Sequence, residues 1–210
     1  MYFTNQEILF LISVSRGREL LGIETKMPVQ EKREVFIKET IQSLIQKGIL
    51  DKEERLTVEG ADIVYLFEQY RNSPRHISLN DIYLAVLPEG KLIMAAPEAE
   101  GYDINLLEPE VLMLGILRSG EYLCHAEERA ERGKWRDLNE ELWKEEIEGM
   151  AGSILLREYS YGKKTDEKIY CWKDASGYLL NIKSKRVREL SSGVMRRQIY
   201  DMLGGNANGK

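Results

Sequence analysis

The sequence predicts an α+β protein. It should form an antiparallel sheet, or two sheets, with flanking helices, arranged as two quasi-repeated α-β-β-β-α units behind an N-terminal pair of helices. Three observations carry this. Apolar residues recur at helical spacing over 5–72, then switch to strand-like runs over 82–107 and 154–184. Helix-start signals and glycine or proline stops punctuate the helical stretches. The order of elements in the middle of the chain then recurs towards its end, without residue-level identity.

Thr4-Asn-Gln-Glu7 is a capping box, so a helix is expected over 5–16 with Ile8, Leu11 and Ile12 inward and Gly17 closing it. Residues 18–27 stay undecided, with room for one short turn at Arg18–Leu21. Pro28 suits a first helical position. The helix it opens should run to Lys47 with a stripe of Ile37, Ile41, Leu44 and Ile45, and Gly48 suits the left-handed stop. Ile49-Leu50 and Arg55-Leu56 read as arms of a ribbon, and Thr57 caps a third helix over 58–72.

Ile82 to Leu87 and Lys91 to Ala96 read as strands around a Pro88-Glu-Gly90 turn, and Tyr102 to Leu107 as a third. Pro109 opens a helix over 110–118 that looks apolar enough to be buried on most sides. Residues 119–136 could be helix or loop. Asp137-Leu-Asn-Glu140 is a second capping box, for a helix carrying Leu138, Leu142, Trp143 and Ile147 and stopped by Gly149. Strands follow at Ile154 to Ser160, Glu167 to Lys173 and Tyr178 to Ser184, with turns at 162–166 and 174–177. Ser192 caps a last helix over 194–203, with Met195, Ile199 and Met202 inward and Gly204 ending it. The organisation expected is 1–118 as N-terminal helices plus first unit, 119–136 as connection, 137–204 as second unit and 205–210 as a disordered tail, in one compact body. The two sheets could join edge to edge, which would remove two exposed edges.

Apolar residues make up 43% of the chain, ordinary for a protein with a real core. The start lacks a basic region and a long apolar run, so no secretory signal is expected. The longest apolar stretch, Val111 to Leu117, falls far short of the ~20 residues of a membrane-spanning helix. Cys124 and Cys171 lie far apart without a C-x-x-C partner, which suggests buried or half-buried thiols in a reducing compartment, the cytoplasm. Charge is segregated: −1 over 1–75 (11 basic, 12 acidic), −10 over 76–152 (7 and 17), and +6 over 153–210 (12 and 6). Intramolecular complementarity, a polarised surface for a partner, and simple solvated faces all fit this pattern.

Motifs for catalysis are missing. There is no G-x-G-x-x-G or G-x-S-x-G, and "GKKT" at 162–165 lacks the earlier glycine of a phosphate loop, since position 157 is Arg. It falls between strands, as a hairpin turn would. His76 and His125 are the only histidines; His125 with Glu128 makes half a metal site at most. Carboxylate pairs abound in 121–148, as any acidic helical surface makes them. The expectation is a protein that is not an enzyme and uses neither cofactor nor metal. Trp143 fits a helix stripe and the core; Trp135, within "RGKWRD", stands between a junction anchor and a partner hot spot.

One alternative is a winged-helix DNA-binding regulator, with 31–47 as recognition helix and 49–57 as wing. Its contacts would be Lys32, Arg33, Lys38 and Lys47. DNA presents one negative charge per ~1.7 Å of axis. Glu31, Glu34 and Glu39 offset those cations, and Asp51-Lys-Glu-Glu54 at the wing is acidic. Nucleic acid is therefore not the expected partner.

The stretches "FTNQEILFLISV" (3–14), "TIQSLIQKGILDKEERLTVEGADIVYLFEQY" (40–70) and "IYLAVLPEGKLIMAAPEAEGYDINLL" (82–107) cover about half the chain. In layout this half resembles the EspG-type chaperones of type VII (ESX) secretion, through hydrophobic patterns and a few glycines rather than catalytic signatures. The chain looks like a member of a family from Gram-positive type VII loci that is distantly similar to EspG. The resemblance implies a cytoplasmic, chaperone-like accessory factor without a cofactor, holding a helical export substrate or secretion component, and it says nothing of oligomeric state. It carries over no binding residue. Lys185, Arg186, Arg188, Arg196, Arg197 and Tyr200 in the basic last unit, with Trp135, are the candidates for partner contact, against the alternative of a solvated surface.

Overall fold

The computed structural model describes residues 1–15, 17, 19–25, 33–124, 133–174 and 176–205. Its elements in chain order are β1 (Tyr2–Thr4), α1 (Asn5–Val14), α2 (Arg33–Gln46), α3 (Val58–Asn72), β2 (Arg75–Leu79), β3 (Ile82–Val86), β4 (Leu92–Glu98), β5 (Gly101–Leu107), α4 (Pro109–Ser119), α5 (Glu121–Cys124), β6 (Arg136–Asp137), α6 (Glu140–Glu148), β7 (Gly152–Ser160), β8 (Lys163–Lys173), β9 (Ser176–Asn181), β10 (Arg186–Leu190) and α7 (Ser192–Met202). The class is α+β. Among the described residues the ten strands form one antiparallel sheet in the order β1-β5-β4-β3-β2-β7-β8-β9-β10-β6.

That order reads alike from either end: an outer strand, then a four-stranded meander, meeting its counterpart at β2–β7. Beyond the outer strands β1 and β6, which were not expected, each meander holds four strands where three were expected. The extra ones are Arg75–Leu79 and Arg186–Leu190, whose interleaved polar residues hide their period. The seam registers Ile77 opposite Glu158 and Leu79 opposite Leu156. Asn80 closes one end of it, its amide donating to Leu155 O (2.8 Å) while its side chain accepts from the Leu155 amide (2.8 Å). At the other end Arg75 bridges to Glu158, and the Tyr161 amide donates to Pro74 O.

Helices cover both faces of the sheet. On the front, α4, α5 and α7 enclose a core that runs across both units and includes Ile77, Leu84, Leu92, Leu156, Tyr170, Met195 and Ile199. On the back of the first unit, α1, α2 and α3 bury Phe3, Ile8, Leu11, Leu44 and Phe67 against Ala85, Ile93 and Ala95. On the back of the second unit α6 places Trp143 over Cys171, Leu180 and Val187. Because β2 and β7 are antiparallel, and α4 and α7 share the front, the units are related by an approximate two-fold axis through the seam.

The local signals act largely as expected. Thr4 and Glu7 form the capping box of α1, and the helix ends at Val14. Thr57 caps α3 through the Gly60 amide, and Gly48 has φ +73°. Pro109 lies in the first turn of α4. Several details differ. Asn139 rather than Asp137 caps α6, because Asp137 belongs to β6 and pairs with Arg186. Ser191 rather than Ser192 caps α7. The ribbon after α2 reduces to a single bridge, Leu50 with Leu56. β8 begins at Lys163, so the turn before it contracts to Tyr161-Gly162, both at positive φ. Ile37 is exposed and Thr40 buried, so the inner face of α2 is rotated from the predicted stripe. Pro28, the start of the second helix, His125, Glu128 and the 206–210 tail lie outside the described residues.

Candidate protein-binding surface

The back of the second unit is where polar and apolar side chains meet solvent together. Ile154 and Leu156 point into the front core, so Ser153, Leu155 and Arg157 of β7 face the back by strand alternation. None of these three is buried. Next to them on β8, Glu167 and Ile169 are half-buried, and Cys171 lies under α6. In the first unit the comparable back-facing Ala85, Ile93 and Ala95 are fully buried. The nine-residue α6 is too short to cover five strands.

Arg157 and Glu167 stand opposite each other on β7 and β8. Arg157 Nε donates to Glu167 Oε2 (2.8 Å), and Lys164 Nζ donates to the same oxygen (3.0 Å). Those bonds, Arg157's first, hold the Glu167 carboxyl below its usual range, and the same contact raises the Arg157 guanidinium. β8 pairs with β9 only from Ile169 onward, so its stretch before that leaves a notch in the sheet. A hollow of about 210 Å³ sits there, lined by Lys164 to Glu167, Ile169 and Leu180 to Lys183. Ile182 at its rim is 51% exposed, and α6 leaves Leu142 (48%) and Ile147 (43%) exposed. Those two helix residues were expected to face inward. Trp143 takes that direction, and at 100° per residue they fall on its two flanks.

The predicted contact residues divide into two groups. Lys185, Arg186, Arg188 and Trp135 lie along the outer edge of the sheet. Lys185 pairs with Glu140 (3.2 Å). Arg186 Nε lies 2.9 Å from Asp137 Oδ1 as an ion pair without hydrogen-bond geometry, and its guanidinium is 6.0 Å from the centre of the Trp135 ring. Arg188 donates to Gly133 O (3.1 Å). Arg196, Arg197 and Tyr200 belong to α7 on the front. Arg196 donates to Leu123 O (3.0 Å), Tyr200 donates to Glu110, and Arg197 is exposed. Much of the basic third therefore answers acidic residues and carbonyls of the same chain. Strand alternation and the length of α6 point to Leu155, Arg157, Glu167 and Ile182; sequence reasoning missed all four, because exposure depends on what other elements leave uncovered.

Of the residues assigned to DNA contact, Lys47 is tied inward. Its Nζ donates to Glu7 Oε2 (2.6 Å) and to Tyr2 O (2.8 Å), and Glu7 is itself buried. Arg33 and Lys38 are exposed on α2, and Lys32 lies outside the described residues.

Among the described residues no group of three His, Cys, Asp or Glu could hold a metal ion. His76 Nε2 lies 2.9 Å from Tyr70 O and its ring packs edge-on to Tyr70, while Nδ1 is buried without a partner. Burial pushes its pKa down, against the bond to Tyr70. Burial pushes the Cys171 thiol up to about 12, whereas Cys124 is exposed, contrary to expectation. No helix among the described residues is long and apolar enough to cross a membrane. No curated protein matches the chain at a significant level. The matching family model, described as "Domain of unknown function (DUF5081)", spans residues 1–208, and the chain belongs to that family.

Proposed function

We propose that this is a cytoplasmic, chaperone-like accessory factor of type VII secretion that holds a helical export substrate. The reading rests on the resemblance of the N-terminal half to EspG-type chaperones. One structural observation supports it: the back of the second unit is only partly covered, so Leu155, Ile169, Ile182, Leu142 and Ile147 stand at least partly exposed around the Arg157–Glu167–Lys164 network. Apolar contact area beside fixed charges is what a protein partner uses, the first for affinity and the second for selection. A helix laid along β7 and β8 beside α6 would cover these side chains.

The test is co-expression with each small helical export substrate encoded in the same locus, followed by co-purification and titration calorimetry. One of them should form a stable complex that survives nuclease treatment. Ile182→Glu and Leu142→Glu, each at an exposed position, should weaken it by at least about tenfold. Failure of every such substrate to bind removes the proposal. So does a complex indifferent to both substitutions.

A further inference from the structure

We infer that α4 is a self-association surface, through which two copies of this chain pair with their α4 helices antiparallel. The helix was expected to be buried on most sides, yet Val111 is 58% and Leu114 56% exposed. Positions 111, 114, 115 and 118 share one face by helical spacing. A Cβ at Gly115 would meet nothing within 4 Å. A hollow of about 460 Å³ opens beside Gly115, lined chiefly by Leu79, Ile82, Leu112, Ile116 and Ile154, with Asp81 beside them. An apolar side chain arriving from outside can enter it over Gly115, where no Cβ stands in the way. α7, the counterpart of α4 across the seam, instead exposes Arg197 and Asp201.

A second copy fits this face because its charges are self-complementary. Glu110 stands in the first turn of α4 and Arg118 in the last. An antiparallel crossing centred near Leu114 and Gly115 sets Arg118 of each copy against Glu110 of the other, twice over by symmetry. It also lays each helix N-terminus beside the other's C-terminus, which favours the pairing of their dipoles. The Tyr200 hydroxyl donates to Glu110 and holds that carboxyl below its usual range, so its charge is present at neutral pH. Leu114 of each copy then passes over Gly115 of the other into the hollow.

Sedimentation velocity on the full chain, from low micromolar to submillimolar concentration, tests this. The mass should rise from 24.3 kDa towards twice that value. Leu114→Glu, and Val111→Lys as a second surface variant, should stay monomeric throughout with unchanged thermal melting. Arg118→Glu and Glu110→Arg should each weaken the dimer, and the two together should recover it. A monomer at every concentration would overturn the inference. So would a dimer that persists in both surface variants, or a double charge exchange that recovers nothing. Ile182→Glu lies on the opposite side of the sheet and should leave the dimer intact, so this result stands apart from that of partner binding.

Discussion

The two units share a strand plan and differ in what lies on their backs. The first carries three helices over β3, β4 and β5, and Ala85, Ile93 and Ala95 there are fully buried, with Leu106 of β5 left exposed at the margin. The second carries α6 alone, anchored by one large residue, Trp143. On the front the two are alike, covered by one continuous core. The sheet therefore does not need the back of the second unit for its stability to the degree that it needs the back of the first. A face that folding leaves uncommitted is available for recognition.

Substitutions that act on one unit at a time test this difference, and the largest effect belongs to the first. Phe67 is buried and packs edge-on to Phe3. Phe67→Ala should cost about 3–5 kcal/mol by loss of packing and an unfilled cavity, read from urea unfolding. A loss below about 1 kcal/mol would show that the three-helix layer is not the centre of stability.

Next comes Glu7, which accepts bonds from the Thr4 amide, Ser43 and Lys47 and so joins β1, α1 and α2. Glu7→Ala should cost about 2–3 kcal/mol, because it strands buried donors and a partly buried ammonium. Chemical denaturation would measure it, and Glu7→Gln should retain part of the loss. An unchanged midpoint for the alanine variant would contradict the role assigned to this carboxylate.

The helix caps make the comparison sharper. Thr57→Ala and Asn139→Ala each remove a side-chain acceptor from a helix start, worth about 1 kcal/mol. In the first unit the loss should appear in global stability. In the second it should appear as faster amide exchange confined to α6, with little change in the global midpoint. Equal global losses would mean that α6 is as firmly integrated as α3.

The smallest effect is titration of His76. Burial holds its folded pKa below the unfolded value of about 6.5. The unfolded chain therefore binds the proton more readily. The stability contributed by neutral His76 is complete above about pH 6.5 and is lost as pH falls through that value towards the depressed one. His76→Gln should flatten this part of the stability profile. A wild-type profile with no slope below that pH would rule the effect out.

How much of this was legible in the sequence follows from the range over which each signal acts. The caps at Thr4 and Thr57 and the stop at Gly48 depend on three or four neighbouring residues, and they appear where they were expected. β2 was hidden because His76 and Ser78 occupy buried back-facing positions that pattern reading assigns to polar exterior. β10 was hidden by Arg186 and Arg188, which satisfy their charges along the sheet edge. The uncovered faces were not legible at all. Leu114 and Leu112 are the same residue type two positions apart on α4, one exposed and the other buried. Helical spacing puts them on opposite sides, and with apolar residues on both, only the placement of distant elements decides which side is buried.

The seam has a consequence for the chain as it is made. β2 finds its second neighbour in β7, which emerges only after β3 to β5, α4, α5, β6 and α6 have been synthesised. Until then a growing polypeptide presents β2 with one row of amides and carbonyls unsatisfied, an invitation to pair with another nascent chain. Conditions that slow translation between the two strands should favour tangled products over native ones.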